Sequence, residues 1–209
     1  YLIAFDGAGN WNPQHERFLA SDFYQMLRAF LDSGELAKLL EKYDYTLDLK
    51  LHPIFNCYRE CFSFSNPRIR LAEGNVDAEE YSIFLSDYSS FTFDFVYLKR
   101  AIVYFFPDYE QFKAGLMSYR QVDIPLEEGF GPLVQTVGEA IDALRKIFEN
   151  NGRPEAVYQR RMDNFYLHYD NGQCDRIYHA LMEEEPGMKG GALLEDLMVR
   201  YEEDREAAI

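Results

Sequence analysis

The stretch YSIFLSDYSSFTFDFVYLKRAIVYFFPD, residues 81–108, decides the fold. Tyr81-Ser82-Ile83-Phe84-Leu85 is a short apolar run and reads as a buried strand. Ser86-Asp87-Tyr88-Ser89-Ser90 breaks it, and a helix is predicted from about Ser90 to Leu98. Ala101-Ile102-Val103-Tyr104-Phe105-Phe106 is a second apolar run, closed by Pro107-Asp108. Two largely apolar strands joined through a helix form a strand–helix–strand unit, whose strands run parallel and are covered on both faces.

The same alternation extends outward. Residues 1–5 read as a buried strand ending at the turn-rich Asp6-Gly7-Ala8-Gly9-Asn10. Phe23, Met26, Leu27, Phe30 and Leu31 recur at helical spacing behind Ser21 or Asp22 as N-cap. Gly34 is expected to end that helix, with Leu36, Leu39 and Leu40 on a short second one. Residues 45–51 alternate at period two and stop at His52-Pro53, where the proline biases its predecessor away from helix. Residues 68–71 and 119–122 are further short strand candidates. Beyond Gly129-Phe130-Gly131-Pro132 the pattern turns helical. Thr136 and Glu139 form a capping box for a helix to about Asn150, Pro154 opens another, and Asp175 starts one near the end. The expectation is an α/β fold, a doubly wound, mainly parallel sheet with helices on both faces. It comprises a domain over 1–182 and an acidic helical segment over 183–209, with Leu193, Leu194, Leu197, Met198 and Tyr201 on one helix face.

The chain has 209 residues, 36 acids, 21 bases and a formal charge of −15. Residues 183–209 hold nine acids and three bases, so −6 lies there and −9 elsewhere. Such a balance disfavours non-specific nucleic-acid binding, which needs clustered Lys and Arg, and anionic membrane surfaces repel it. No apolar run reaches the roughly 20 residues of a membrane-spanning helix. Cys57, Cys61 and Cys174 fit a reducing compartment, with Cys57 and Cys61 read as half-buried thiols. The chain opens inside an apparent strand without Met, and an excised domain or incomplete chain is expected.

Ligands in open α/β sheets sit beyond the carboxyl ends of strands, and two polar clusters fall there. His52 follows the strand ending at Leu51; a structural histidine and a functional one are both open. Ser86-Asp87-Tyr88-Ser89-Ser90 precedes a helix. Its hydroxyls and free N–H groups could hold a phosphate, although a plain N-cap with Asp87 favouring the helix dipole is the simpler reading. Asp108, Tyr109 and Glu110 read as a solvated loop edge. No Walker lysine, three-glycine fingerprint or Gly-x-Ser-x-Gly elbow occurs. His15, His52, His168 and His179 are scattered, so neither a metal nor a cofactor is expected.

The order of these clusters carries more than any one of them. Leu49-Lys50-Leu51-His52-Pro53 is followed by Leu85-Ser86-Asp87-Tyr88-Ser89-Ser90 with Phe93-Asp94 beyond it. Then come residues 102–108, Gly131-Pro132-Leu133-Val134, and Asp170-Asn171-Gly172 ahead of Arg176-Ile177. Over roughly residues 45–180 this series resembles the CDP-glycerol glycerophosphotransferase family of teichoic-acid synthesis. The resemblance implies the carboxyl-terminal, Rossmann-like, donor-binding half of a GT-B-type fold. It implies His52 as the catalytic group at the donor pyrophosphate. It further implies Ser89, Ser90, Asp87, Gly131 and Pro132 around the donor, with Asp170 and Arg176 at the far rim. The donor would be CDP-glycerol or a related CDP-alditol, and the acceptor a lipid-linked polymer bound by an amino-terminal half absent here. The setting would be cytoplasmic, at the inner face of the membrane. The family's Pro-Thr-[Trp/Phe]-Arg-like element is replaced by Phe5-Asp6-Gly7-Ala8-Gly9-Asn10-Trp11. A GT-B nucleotide-sugar glycosyltransferase and a non-catalytic α/β interaction module are the alternatives.

Overall fold

A computed structural model of the chain describes residues 3–5, 11–114 and 125–184. Strands β1 (Ile3–Phe5) and β2 (Trp11–Pro13) pair antiparallel. Helices α1 (His15–Leu19), α2 (Asp22–Leu31) and α3 (Gly34–Lys42) follow. Strand β3 (Leu47–Leu49) leads through a 3-10 segment, Pro53–Cys61, to its parallel partner β4 (Ile69–Leu71). Strand β5 (Ile83–Ser86), helix α4 (Thr92–Tyr97) and strand β6 (Ala101–Phe105) form the strand–helix–strand unit. After α5 (Tyr109–Lys113), strand β7 (Leu133–Val134) completes a parallel sheet of order β5-β6-β7. Helices α6 (Val137–Glu149), α7 (Ala156–Asp163) and α8 (Gln173–Glu184) close the described chain. Two compact units result, Tyr1–Phe165 and Tyr166–Ile209. The division expected after residue 182 falls near the end of α8, inside the second unit, and the leucine-bearing face at 193–201 lies outside the described residues.

Strand β6 is buried at every position, as a strand covered on both faces must be. Ala101, Val103 and Phe105 join a core with Phe30 and Leu31 of α2, Leu36, Leu39 and Leu40 of α3, and the inner face of α6. The alternate residues face the other way. Ile102 is in register with Phe84 of β5, and Phe84 stacks on Phe95 of α4 with centroids 4.5 Å apart. Helices therefore lie on both faces of a parallel sheet, as expected from the sequence. A second, aromatic cluster joins Phe18, Tyr24, Tyr58 and Phe62. Phe18 and Tyr58 stack at 4.0 Å there, and Tyr24 Oη donates to the Cys61 carbonyl (2.7 Å). Cys57 and Cys61 are half-buried and form no disulfide.

Local signals account for the helix starts. Ser21 Oγ accepts from the Tyr24 N–H (3.2 Å), and Thr136 and Glu139 form the reciprocal capping box of α6. Some boundaries move. Ser33 caps α3, so Gly34 opens that helix instead of closing the previous one. Helix α7 starts behind Glu155, which leaves Pro154 just outside it. Helix α4 begins at Thr92, because Ser89 and Ser90 form the turn ahead of it, their carbonyls accepting from the N–H groups of Thr92 and Phe93. The first strand pairs with β2 and not with the parallel sheet. Strand β7 and helices α1 and α5 were not expected, and the strand candidate at 119–122 lies outside the described residues. No helix among the described residues is long and apolar enough to cross a membrane.

Gly131 is where close approach demands glycine. A Cβ there would stand 1.9 Å from the Ile102 carbonyl oxygen, while one at Gly138 meets nothing within 4 Å. Gly131→Ala is expected to cost about 2–3 kcal/mol, the upper range of overpacking penalties. Gly138→Ala, in the first turn of α6, should gain about 0.5 kcal/mol from helix propensity. Urea denaturation of the two variants checks both signs.

Candidate functional site at the carboxyl edge of the parallel strands

Strands β5 and β6 run in register from Ile83↔Ala101 to Ser86↔Tyr104, so both chain segments leave the sheet at one edge. The exits carry Asp87-Tyr88 after β5 and Pro107-Asp108 after β6. Ser86 and Thr92 are both buried, and their hydroxyls lie 3.1 Å apart, tying the strand end to the start of α4. Tyr88 spans the two exits: its ring stacks on Phe106 at 4.1 Å, and its hydroxyl donates to Asp108 Oδ1 (3.1 Å). Its φ of 33° is left-handed, a conformation that costs a non-glycine residue about 1–3 kcal/mol. The stack and the hydrogen bond hold it there.

His52 follows β3, with its carbonyl accepting from the Phe55 N–H (2.8 Å) where the 3-10 segment begins. It is exposed and close enough to Asp87 to act on its charge. Asp87 keeps an exposed edge, yet the protein crowded around its carboxyl raises its pKa above the ordinary Asp range. The negative charge of Asp108 adds to that rise, while the residue's own backbone N–H and His52 oppose it. Burial, and then the Asp108 charge, hold the Tyr88 hydroxyl protonated well beyond its ordinary range. The edge thus gathers one imidazole, two carboxylates and a phenol that stays a donor.

The structure brings His52 and Asp87 together and sets Ser89 and Ser90 exposed on the turn leaving Asp87. Ser89 Oγ accepts from the Phe91 N–H (3.3 Å), so part of its capacity serves the turn. Gly131 and Pro132 lie elsewhere. Gly131 packs on the Ile102 backbone and the Pro132 carbonyl accepts from the Tyr104 N–H (2.9 Å). From Ile102 to Phe106 is about 13 Å at strand rise, so that pair flanks the middle of β6 and not its exit. Asp170 and Arg176, in the second unit, pair with each other at 2.7 Å, and the guanidinium holds the Asp170 carboxyl below its usual range.

Asp108 and Tyr88 were missed by sequence reasoning. The residues at 108–110 read there as a solvated edge, but Asp108 is half-buried and Tyr109 buried, because Tyr109 and Phe112 seat α5. The signal was available: Asp108 follows β6 as Asp87 follows β5, and both obey the strand-end rule. No group of three or more His, Cys, Asp or Glu among the described residues is placed to hold a metal ion.

Comparison with known proteins decides the family. The model of the CDP-glycerol:poly(glycerophosphate) glycerophosphotransferase family matches residues 18–183. The chain belongs to that family. It is 26% identical over 190 residues to the minor teichoic acid biosynthesis protein GgaB of Bacillus subtilis, covering 87% of this chain and 20% of that protein. It is 40% identical over 103 residues to a teichoic acid poly(glycerol phosphate) polymerase of Bacillus subtilis, covering 49% and 14%. Among solved structures it is similar to the wall teichoic acid polymerase TagF, with 22% identity, a TM-score of 0.48, and coverage of 75% of this chain and 38% of that one. The chain spans a fifth or less of the length of these two relatives, GgaB and the polymerase. This glycerophosphotransferase-family chain carries its matched region across the whole carboxyl edge, His52 through Asp108 included.

The raised pKa of Asp87 has a stability consequence. The folded chain holds this proton more tightly than the unfolded chain. The penalty of the charge is therefore absent below the ordinary Asp value of 3.8 and grows as pH rises through the folded value. Asp87→Asn is expected to raise Tm at pH 7 by about 1–3 °C, with the difference vanishing toward acid pH. Scanning calorimetry between acid and neutral pH reads the sign.

Proposed function

We propose that this chain is the donor-binding part of a transferase that moves an alditol phosphate from CDP-glycerol, or a related CDP-alditol, to a terminal hydroxyl of a lipid-linked polymer. The convergence of His52 with Asp87 and Asp108 at one strand edge, inside the family-matched region, carries this reading. In the proposed step the acceptor oxygen attacks the β-phosphorus. The anhydride bond to the α-phosphate breaks and CMP leaves with the bonding pair. His52 donates a hydrogen bond or proton to the departing phosphate. Ser89 and Ser90 hold phosphate oxygens, and Asp87 orients the exposed turn or the polyol. The domain over 1–182 binds the donor.

The acceptor's proton goes to a base supplied from outside these 209 residues, by an acceptor half that also brings the polymer to the cytoplasmic face of the membrane. Catalysis then rests on in-line positioning and charge stabilisation, without a covalent enzyme intermediate. Teichoic acid synthesis is the process these steps serve.

Calorimetric titration of the purified chain with CDP-glycerol and CMP tests the reading. Both are expected to bind weakly, with affinity falling about tenfold in His52→Ala and in Ser90→Ala, the loss of one charge-assisted or phosphate hydrogen bond each. The chain alone is expected to transfer nothing. Cytidine nucleotide binding that neither variant weakens would remove the donor site from this edge.

A further inference from the structure

The opposite end of the same strands holds a polar cavity. It encloses about 390 Å³ and is lined by Ser82 ahead of β5, by Lys99 and Arg100 ahead of β6, by Asn151 and Arg153 after α6, and by Gln159 of α7. We propose that this cavity binds a phosphate-class anion, at a site separate from the proposed donor site.

Three cations and no carboxylate line the cavity, in a chain whose formal charge is −15. Among the described residues one of the three is neutralised by an ion pair: Lys99 Nζ meets Asp163 Oδ1 at 2.6 Å, and Gln159 donates to the same oxygen (3.1 Å). Arg100 and Arg153 have no carboxylate partner among the described residues. Arg100 Nε is buried and meets no hydrogen-bond acceptor among them. A buried guanidinium N–H without an acceptor is unfavourable, and charged donors carry the larger penalty. A tetrahedral oxyanion answers it, since planar guanidinium groups pair with phosphate oxygens through two parallel N–H bonds. The Ser82 hydroxyl and the Asn151 amide add neutral donors on the same wall.

The wall is already shaped. The Gly152 N–H donates to the Ile147 carbonyl (2.9 Å), and Asn150 Nδ2 donates to the carbonyls of Arg153 (3.1 Å) and Pro154 (3.2 Å). Gly152 has φ +75°, and a Cβ there would stand 2.5 Å from the Tyr45 hydroxyl, so the turn that presents Arg153 is fixed against β3's lead-in. The cavity and the His52 edge sit at opposite ends of β5 and β6, about 16 Å of strand apart. Occupancy of one does not require the other.

Inorganic phosphate, glycerol 3-phosphate and phosphatidylglycerol vesicles are the probes, titrated into the intact chain with amide chemical shifts and vesicle co-sedimentation as readouts. Saturable shifts are expected at Ser82 and Gly152 with inorganic phosphate or glycerol 3-phosphate. Arg153→Gln, an exposed position that leaves the fold intact, should weaken them about tenfold, and Arg100→Gln further. CMP binding should be unchanged in Arg153→Gln, while His52→Ala should leave the phosphate shifts in place. Co-sedimentation that phosphate competes away, and that Arg153→Gln abolishes, would assign the anion to a lipid headgroup. Shifts without co-sedimentation would assign it to a free phosphate or phosphate ester. Absence of saturable binding by all three probes would overturn the proposal. So would phosphate binding unaltered in Arg153→Gln, or phosphate binding lost in His52→Ala.

Discussion

The two-sided burial of β6 is the constraint on which the molecule depends. A strand with no solvent face cannot slip by one residue, because every side chain would then meet the wrong helix layer. Ala101, Val103 and Phe105 are committed to the α2, α3 and α6 side, and the register Ile83↔Ala101 through Ser86↔Tyr104 transmits that choice to β5. Parallel pairing then sorts the connections. The carboxyl ends of β5 and β6, with Asp87 and Asp108, fall at one edge, and their amino ends, with Ser82 and Arg100, fall at the other. An antiparallel pair would have set the carboxyl end of one strand beside the amino end of the next and put carboxylates beside guanidinium groups. The separation of the edge bearing Asp87 and Asp108 from the end bearing Arg100 follows from the direction of β5 and β6.

Much of this was legible in the sequence, for physical reasons that differ by element. The run Ala101–Phe106 declared a strand buried on both faces because no polar residue interrupts it, and Thr136 with Glu139 declared the start of α6 because the capping box is local chemistry. Strand β7 was not legible: two residues, Leu133 and Val134, cannot show a period, and only pairing with Tyr104 and Phe105 makes them a strand. Helix α5 hid its apolar pair, Tyr109 and Phe112, among charged neighbours, and five residues are too few for a periodic signal. Gly34 suggests a stop because glycine so often follows a helix. Ser33 ahead of it, whose hydroxyl accepts from the Glu35 and Leu36 N–H groups, is what marks a start.

The candidate site divides along the same line. His52 and Asp87 could be picked out because each follows a readable strand, and the strand-end rule needs no tertiary information. The Tyr88–Asp108 hydrogen bond joins residues 20 apart and exists only once the β5–β6 register is set. Gly131 is the instructive case on the other side. The family resemblance implied a ligand loop there, but the 1.9 Å clearance to the Ile102 carbonyl gives glycine a packing reason of its own.

An acidic edge would be an unusual host for the proposed donor's pyrophosphate, and the electrostatics of Asp87 bear directly on that tension. Crowding and the neighbouring Asp108 already make its carboxyl hold a proton more readily than an ordinary Asp. Under the proposed reading, a donor phosphate drawn to His52 adds a further negative charge beside it and raises that pKa again. Proton uptake by Asp87 and donor binding are then linked, each favouring the other. Tyr88 supports the arrangement from behind, since its hydroxyl is engaged by Asp108 and its stack on Phe106 holds the turn in a conformation that tyrosine adopts only under constraint. Under the same reading His52 faces the donor, beside two acids whose combined charge the bound donor adjusts.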